Sequence, residues 1–435
     1  MNILMIEQIK TSKKITKSLE KTLLTAFSIL PTLYMRRLYA ITPKKHTIDF
    51  INERYSSIPY TSPYDVVLIH YTSASAVKAY EIADRFKKKK IPVILCGLHA
   101  SALPEEALMY ADSVLLGRGE ANWLTALRDI ESKSLKKIYP VESYDSIPCI
   151  IPSTKVSLPG FMIIGAIEAT RGCPFNCNFC PESNTPNGHI YFKRPLKEVI
   201  NEIKEMKQKI IMFYDASLTI DPHYTKKLFK HMIPLKKKFF CNGNANVLST
   251  DEELIYLSKK AGCIGWLIGF ESISQQTINA VKKTTNTVST YKKVVDLIHK
   301  HKMIVIGDFM FGFDTDTKDV FKTTVTTIKK LGIDVADFTI NTPFPGTPVY
   351  KDLEKEKRII TKDWSKYTMY SVVYQPKQMS PEELLDGVFY MYHSFYSISE
   401  VIKRIVKGLS YGIYPFFSSA NRNLISMIAS KKIQH

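Results

Sequence analysis

Short apolar runs rich in β-branched residues alternate with helix-patterned stretches through most of this 435-residue chain. That alternation limits the fold more than any other feature. NILMI (2–6), TIDFI (47–51), DVVLI (65–69), PVILC (92–96) and SVLLG (113–117) read as strands. The intervening ASAVKAYEIADRFKKKK (74–90) spaces its apolar residues three or four apart, as a helix does. Strands alternating with helices predict an α/β unit over residues 1–138, a doubly wound, Rossmann-like parallel sheet. Its ligand edge is expected at the carboxyl ends of the strands, in HYTSAS (70–75), GLHASALPEEA (97–107) and GRGEANW (117–123).

A stretch punctuated by Pro140, Pro148, Pro152 and Pro159 follows, and residues 139–160 read as a linker. The alternation then resumes over 161–350. Candidate strands are MIIGAIEAT (162–170), IIMFYD (210–215), KFFCNGN (238–244), GWLIGFES (265–272), MIVIGDFMFGF (303–313) and DFTINT (337–342). Thr250 with Glu253 suggests a capping box before LIYLSKKAG, and Gly332 closes a helix over about 317–331. Units of this kind suit a partial (β/α)6 barrel in which function collects at the carboxyl rim. Residues 351–435 lose the strand rhythm and predict a helical region packed on the barrel. SPEELLDGVFYMYHSFYSISEVIKRIVKG (380–408) reads as helix there, with Ser380 as its cap and Pro381 at its first position.

Apolar content of 45% and charge of 23% are those of an ordinary globular protein. The uncharged stretch TLLTAFSILPTLYM (22–35) is too short to span a bilayer, and MNILMIEQIK reads as a first strand rather than a signal peptide. A net charge of +19 admits nucleic acid, an acidic membrane surface or an anionic substrate as partner. The excess is sharpest in residues 401–435, which hold six Lys or Arg and no Asp or Glu, interleaved with YGIYPFF (411–417). A solvated basic helix and a membrane-surface contact both fit that tail. The expected location is cytoplasmic, with the thiols reduced.

Three of the seven cysteines, Cys173, Cys177 and Cys180, lie in RGCPFNCNFCPE (171–182), just after the first strand of the second series. Such density points to a metal site. Structural zinc wants a fourth protein ligand, and no Cys/His pair follows at finger-like spacing. An iron–sulfur cluster held by three thiolates would leave one iron open to an outside ligand. Cys96, Cys149, Cys241 and Cys263 are isolated and read as small buried apolar residues.

Cys-x3-Cys-x2-Cys after the first strand of a partial barrel resembles the radical S-adenosylmethionine (SAM) superfamily. The resemblance implies a 4Fe-4S cluster on Cys173, Cys177 and Cys180, with SAM on the fourth iron and cleaved on reduction to a 5′-deoxyadenosyl radical. It implies an electron donor such as flavodoxin or ferredoxin. Phe179 matches the aromatic residue flanking the adenine. FYDASLTID (213–221) resembles the segment holding the methionyl amino group, with Asp215 the candidate. GFES (269–272) resembles the ribose-binding segment, with Gly269, Glu271 and Ser272. GDFMFGFD (307–314), with Gly312, resembles the glycine motif near the adenine, and NTPFPGTPVY (341–350) the turn after the sixth strand. CNGNANVL (241–248) departs from the pattern: Asn244 or Asn246 stands where many relatives place an arginine toward the SAM carboxylate.

CGLHASALPEEALMYADSVLLGRGE (96–120) resembles the cobalamin-binding-type domain that precedes the barrel in one large radical SAM subfamily. The resemblance implies cobalamin-binding positions at Gly97, His99, Gly117 and Glu120. The Asp-x-His-x-x-Gly motif that supplies a histidine to cobalt elsewhere is absent, and EQIKTSK (7–13) after the first strand holds no histidine. Cobalamin therefore stays open. With it, the resemblance implies a C-methyltransferase acting at an unactivated C–H position; without it, a cyclase, rearrangement or coupling enzyme. DWSKY (363–367) and QPKQMSPEEL (375–384) resemble relatives acting on isoprenoid and membrane lipids. That makes a lipid or isoprenoid the first expected substrate and a peptide the second, with the basic tail as a peripheral membrane contact. The rival of another class is an iron–sulfur or zinc protein that binds nucleic acid, but no basic stripe interleaved with stacking aromatics or appended RNA module supports it.

Overall fold

A computed structural model describes residues 1–8, 33–53, 56–141 and 164–432. Most of the expected linker, most of TLLTAFSILPTLYM and the isolated Cys149 lie outside the described residues.

The first sheet is built from β1 (Asn2–Glu7), β2 (Thr47–Asn52), β3 (Val66–His70), β4 (Val93–Cys96), β5 (Ser113–Leu115) and β6 (Ile138–Tyr139). Every pairing is parallel, in the order β2-β1-β3-β4-β5-β6. The chain reverses direction across β1, which makes the β1/β3 crevice the topological switch point. Helices cover both faces, so β3 and β4 are buried on both sides and carry continuous apolar runs rather than alternation. The sixth strand is an addition to the five expected. It extends the sheet into the first residue of the expected linker, because Ile138 and Tyr139 pair with Val114 and Leu115.

The second sheet comprises β7 (Ile164–Ile167), β10 (Ile210–Phe213), β11 (Lys238–Asn242), β12 (Cys263–Glu271), β13 (Ile304–Phe311) and β14 (Val335–Ile340), paired in strict sequence order and all parallel. Between β7 and β10 a small antiparallel pair, β8 (Thr170–Arg171) with β9 (Phe192–Lys193), frames the cysteine loop. The expected run 162–170 thus breaks at Glu168–Ala169. Alternate residues divide this sheet into two faces. Trp266, Ile268, Val305 and Phe309 pack under the outer helices, while Leu267, Gly269, Asp308, Met310 and Asp337 are half-buried and face the barrel interior.

Two helix boundaries differ from expectation. Thr250 ends a short helix (Ala245–Thr250), its hydroxyl donating back to Asn246 and Val247, so the next helix (Glu252–Ala261) is capped by Asp251, which accepts from the Leu254 amide at 3.0 Å. The run 380–408 is two helices, Pro381–Phe395 and Ile398–Leu409. Tyr396 pins the break by exchanging hydrogen bonds with both backbone groups of Ala336, and Arg404 donates to the Phe395 carbonyl at the end of the first helix. The Ser380–Glu383 capping box and the Gly332 stop are present as expected. A last helix, Ile413–Lys432, lies against the inner face of the barrel, where Arg422 meets Asp337 at 2.9 Å. No described helix is long and apolar enough to cross a membrane.

Candidate functional site

The cysteine loop begins where β8 ends. Gly172 (φ +71°) touches the Ile190 carbonyl so closely that a side chain has no room, which turns the chain out of the sheet. Backbone bonds then pin the loop on three sides: Cys173 to Gly188 (2.8 Å), Asn178 to Val281 (3.2 Å), and Val349 back to Asn178 (3.2 Å). Asn184 donates to the carbonyls of Cys177 and Cys180. All three thiols are free of disulfides, with Cys177 buried and Cys173 and Cys180 half-buried. Burial pushes the Cys177 thiol up to about 12 and raises the other two, and Cys180 adds to the rise at Cys173 and Cys177. Three free thiols that resist ionising on their own suit a soft, strongly positive inorganic core. No three or more His, Cys, Asp or Glu among the described residues close around a single ion position, as mononuclear zinc would need.

Across from the loop, β12 ends in a bulge. Its register against β13 shifts between Gly269 and Glu271, and Glu271 takes φ +59°. A left-handed carboxylate at a strand end costs on the order of 1–3 kcal/mol and needs surrounding structure to hold it. Asn286 donates to the carbonyls of Gly269 and Phe270, and Tyr291 donates to Phe270, which supplies that hold. The Glu271 carboxylate meets Lys283 at 2.6 Å. Burial opposes the Lys283 charge, but Glu271, Cys177 and Cys180 keep its ammonium above its usual range. A Cβ on Gly269 would run into Glu271 Oε1 and lie 2.9 Å from Lys283 Nζ, so the absent side chain leaves that ion pair its place.

Phe179, Cys177, Val281 and Phe313 form a small apolar cluster beside this pair, with Lys283 Nζ 5.9 Å from the Phe179 ring centre. Next to it a cavity of about 170 Å³ is lined by Asn178, Val281, Gly312, Phe313, Asn341 and Val349. Asn178 Oδ1 and Asn341 Oδ1 are buried and lack a hydrogen-bond partner. Gly312 (φ +93°) is held by Asp316, which accepts from the Gly312 and Phe313 amides at 2.9 and 3.1 Å. Burial lifts the Asp316 carboxyl to about 7 despite those bonds.

Other sequence-derived candidates sit elsewhere. Asp215 is fully buried and accepts from Ala169 N, Thr170 N and Thr170 Oγ1, so it braces the backbone ahead of the cysteines. Burial raises its carboxyl to about 7. Ser272 accepts from the Ser274 amide within its own turn. Of the two asparagines after β11, Asn246 donates its side chain to the Thr284 carbonyl, whereas Asn244 opens the 245–250 helix without a cap bond. His99 differs most from expectation. It is buried, its Nδ1 lies 2.9 Å from Ser73 Oγ and its Nε2 3.4 Å from Glu106, and Trp364 packs edge-on against its ring. Both ring nitrogens are engaged, so His99 is a docking point for the C-terminal region and not an open ligand. Gly97 (φ +113°) presses on the Tyr71 carbonyl, and the Gly117 amide donates to Ser101 Oγ at 2.7 Å.

Glu120 joins a buried ionic network between the two sheets. Glu168, just before the cysteine loop, accepts from Arg37 (2.6 Å), Arg118 and Arg171 (3.0 Å). Arg118 also pairs with Glu182, and Arg171 with Glu120 at 3.3 Å. Burial alone would raise the Glu168 carboxyl; Arg118, Arg37 and Arg171 hold it well below its usual range. The carboxyl edge of the first sheet therefore faces the cysteine loop. His70, at the end of β3 in the switch crevice, is kept neutral: burial and Arg118 lower its imidazole to about 4.

Lys283, Asp308, His70 and the arginines were not singled out from sequence. Lys283 sits in VKKTT, which looks like a solvated charge run. Asp308 did carry a signal, an acid in mid-strand among apolar residues, and it stands in register between Gly269 and Asp337. Burial and the Asp337 and Glu271 carboxylates raise its carboxyl well above the usual range.

A family model described as the radical SAM superfamily matches residues 167–328. The chain is 30% identical to bacteriochlorophyllide d C-12(1)-methyltransferase of Chlorobaculum tepidum, over 84% of this chain and 82% of the relative. It is 31% identical to the C-8(2)-methyltransferase of the same organism, over 91% and 90%. The fold matches that of the radical SAM methyltransferase TsrM from Kitasatospora setae, solved with cobalamin and a 4Fe-4S cluster, at a TM-score of 0.69 and 14% identity over 99% of each chain. Near-full-length likeness at this identity, with the matched barrel and its cysteine loop, means that the chain belongs to the radical SAM superfamily and is an enzyme of SAM and a 4Fe-4S cluster.

Proposed function

We propose that this enzyme methylates an unactivated carbon of a large hydrophobic substrate, drawing on cobalamin as well as SAM. The observation that carries the proposal is the clamp of Arg37 and Arg118 on Glu168 and Glu182. It brings the carboxyl edge of a doubly wound sheet against the cysteine loop of a barrel. In such a composite, cobalamin supplies the methyl group, and SAM with the cluster supplies the radical that opens the C–H bond.

The chain's own residues divide the work. Cys173, Cys177 and Cys180 hold the cluster, and the free thiol donor set fits it. Glu271 takes the ribose hydroxyls, with Lys283 fixing its carboxylate, and the adenine enters the cavity beside Phe179, where Asn178 and Asn341 offer unpaired oxygens. Asn244 is the candidate for the SAM carboxylate. Asp215 braces the cysteine loop rather than meeting the methionyl group. Gly97, Gly117, Glu120 and His70 lie on the edge that would hold cobalamin. A neutral imidazole in the switch crevice fits that group, whereas His99 does not. Asp308 and Asp337 are the polar points facing substrate inside the barrel.

The names of the relatives support the substrate class. Two act on bacteriochlorophyllide d, and another, 20% identical over 77% of this chain, is the hopanoid C-2 methylase of Rhodopseudomonas palustris. The electron donor is a flavodoxin or ferredoxin, and the basic C-terminal tail gives a peripheral membrane contact. The test is anaerobic reconstitution with iron, sulfide and cobalamin, then SAM and dithionite, followed by extracts from cells with and without the gene. The expected result is 5′-deoxyadenosine in vitro and a one-methylene mass shift in a hydrophobic product. Loss of two hydrogens would replace methylation with ring closure, and absence of 5′-deoxyadenosine in a four-iron sample would overturn the reading.

A further inference from the structure

Glu271 of β12, Asp308 of β13 and Asp337 of β14 bring three carboxyl groups together in the barrel interior. Two of them have a cation each. Glu271 meets Lys283 at 2.6 Å, and Asp337 meets Arg422 of the last helix at 2.9 Å. Asp308 stands in register between Gly269 and Asp337, and its carboxyl has neither a hydrogen bond nor an ion pair among the described residues. Gly269 places no side chain beside it.

The recess under this acid is apolar. Successive inward residues of β13 are Ile304, Ile306, Asp308 and Met310. Ile304 and Ile306 pack with Val335 of β14 and with Tyr411, and Leu267 and Phe240 close against them. The barrel interior therefore has an apolar floor, and Asp308 is the first polar group above it on β13. Around Asp308 stand the Asp337 and Glu271 carboxylates, the Arg422 and Lys283 cations, and the Tyr370 phenol.

Three acids with two cations leave one acid without a counter-charge. In an apolar recess the surplus group keeps its proton, because a third carboxylate beside two others is disfavoured. Asp308 is the one with no cation of its own, and burial with the neighbouring acids raises its carboxyl well above the usual range. A neutral carboxyl donates a hydrogen bond, whereas a carboxylate only accepts. Lys283 and Arg422 are held by their own partners, so Asp308 is left to meet a substrate group. An anionic group would be opposed by Glu271 and Asp337 close by. A neutral carbonyl oxygen, which only accepts, fits.

We propose that Asp308 enters the reaction as a neutral carboxylic acid and donates a hydrogen bond to a carbonyl oxygen of the hydrophobic substrate, fixing which carbon faces SAM. This rests on the proposed methylation for a substrate in the barrel interior; the surplus proton does not depend on it.

Two measurements test this. The first is the difference infrared spectrum of the reconstituted holoenzyme, native minus Asp308→Asn, at pH 7. The carbonyl stretch of a protonated, poorly solvated carboxyl group is expected in the native enzyme and not in the variant. A carboxylate band in its place overturns the proposal. The second supplies the apolar extract of cells lacking the gene as substrate source and counts 5′-deoxyadenosine against methylated product. Asp308→Asn still donates, through its amide, and is expected to keep product yield within about threefold of native. Asp308→Ala is expected to raise the ratio of 5′-deoxyadenosine to product about tenfold or more. Raising the pH should lower product in the native enzyme and leave the Asp308→Asn variant unchanged, since only the native donor ionises. Iron content and unfolding midpoint report folding in every sample. An Asp308→Ala enzyme with the native ratio, or an Asp308→Asn enzyme that loses product as fully as Asp308→Ala, overturns the contact. A native enzyme that cleaves SAM yet methylates nothing in the extract overturns the methylation reading instead, while the infrared band still decides the state of Asp308.

Discussion

Asp316 illustrates how single residues hold the site. One carboxylate oxygen satisfies both the Gly312 and Phe313 amides at the end of β13, yet burial keeps its carboxyl near 7. A folded value above the unfolded one near 3.8 means that the favourable contribution is complete below about pH 3.8 and is lost as pH rises through about 7. Asp316→Asn keeps an acceptor for both amides and should flatten that dependence, giving a chain relatively more stable at pH 8 than at pH 5 when compared with the native one. Asp316→Ala leaves two buried donors without an acceptor and should cost about 1–3 kcal/mol at pH 5, and less at pH 8, where the native contribution has faded. Denaturant unfolding at the two pH values checks both.

Among elements, the β12 bulge is the most specialised. Gly269→Ala places a methyl group against the ends of the Glu271 and Lys283 side chains, which can swing aside at modest cost in stability. The expected outcome is a shift in unfolding midpoint of only a few degrees with SAM binding reduced at least tenfold, measured by equilibrium dialysis of the reconstituted protein. The bulge also marks how far sequence reached. GFES carried enough pattern to place Gly269 and Glu271 at a strand end. Every strand of the barrel was legible because each is bounded by turn residues and filled with apolar ones. The positive φ of Glu271 and its partner Lys283 were not legible, since a lysine twelve residues away meets it only through the tertiary path of the chain. The surroundings of His99 were not legible for a related reason: Trp364, which packs on its ring, lies more than two hundred and fifty residues later. The single helix expected over 380–408 was a matter of periodicity continuing across a break that only Tyr396 and Arg404 define.

At the scale of the whole molecule, the two sheets are joined by charge. Glu168 is buried among three arginines, two of which come from the first part of the chain. Removing one partner of such a network leaves uncompensated charge in the interior and costs about 3–5 kcal/mol. Glu168→Gln should therefore lower stability by that order. Hydrogen exchange should rise first in residues 170–184, because the cysteine loop hangs from the position that has been loosened. Uniform loss of protection across both sheets would contradict this account.

The clamp also bears on how the enzyme is made. Chains emerge from the ribosome amino end first, and early domains fold before later ones are complete. Arg37 and Arg118 are therefore in place before Glu168 and the three cysteines appear. A first sheet that folds before the barrel is complete would give the nascent loop a surface to dock on through Arg37 and Arg118 before any metal is delivered.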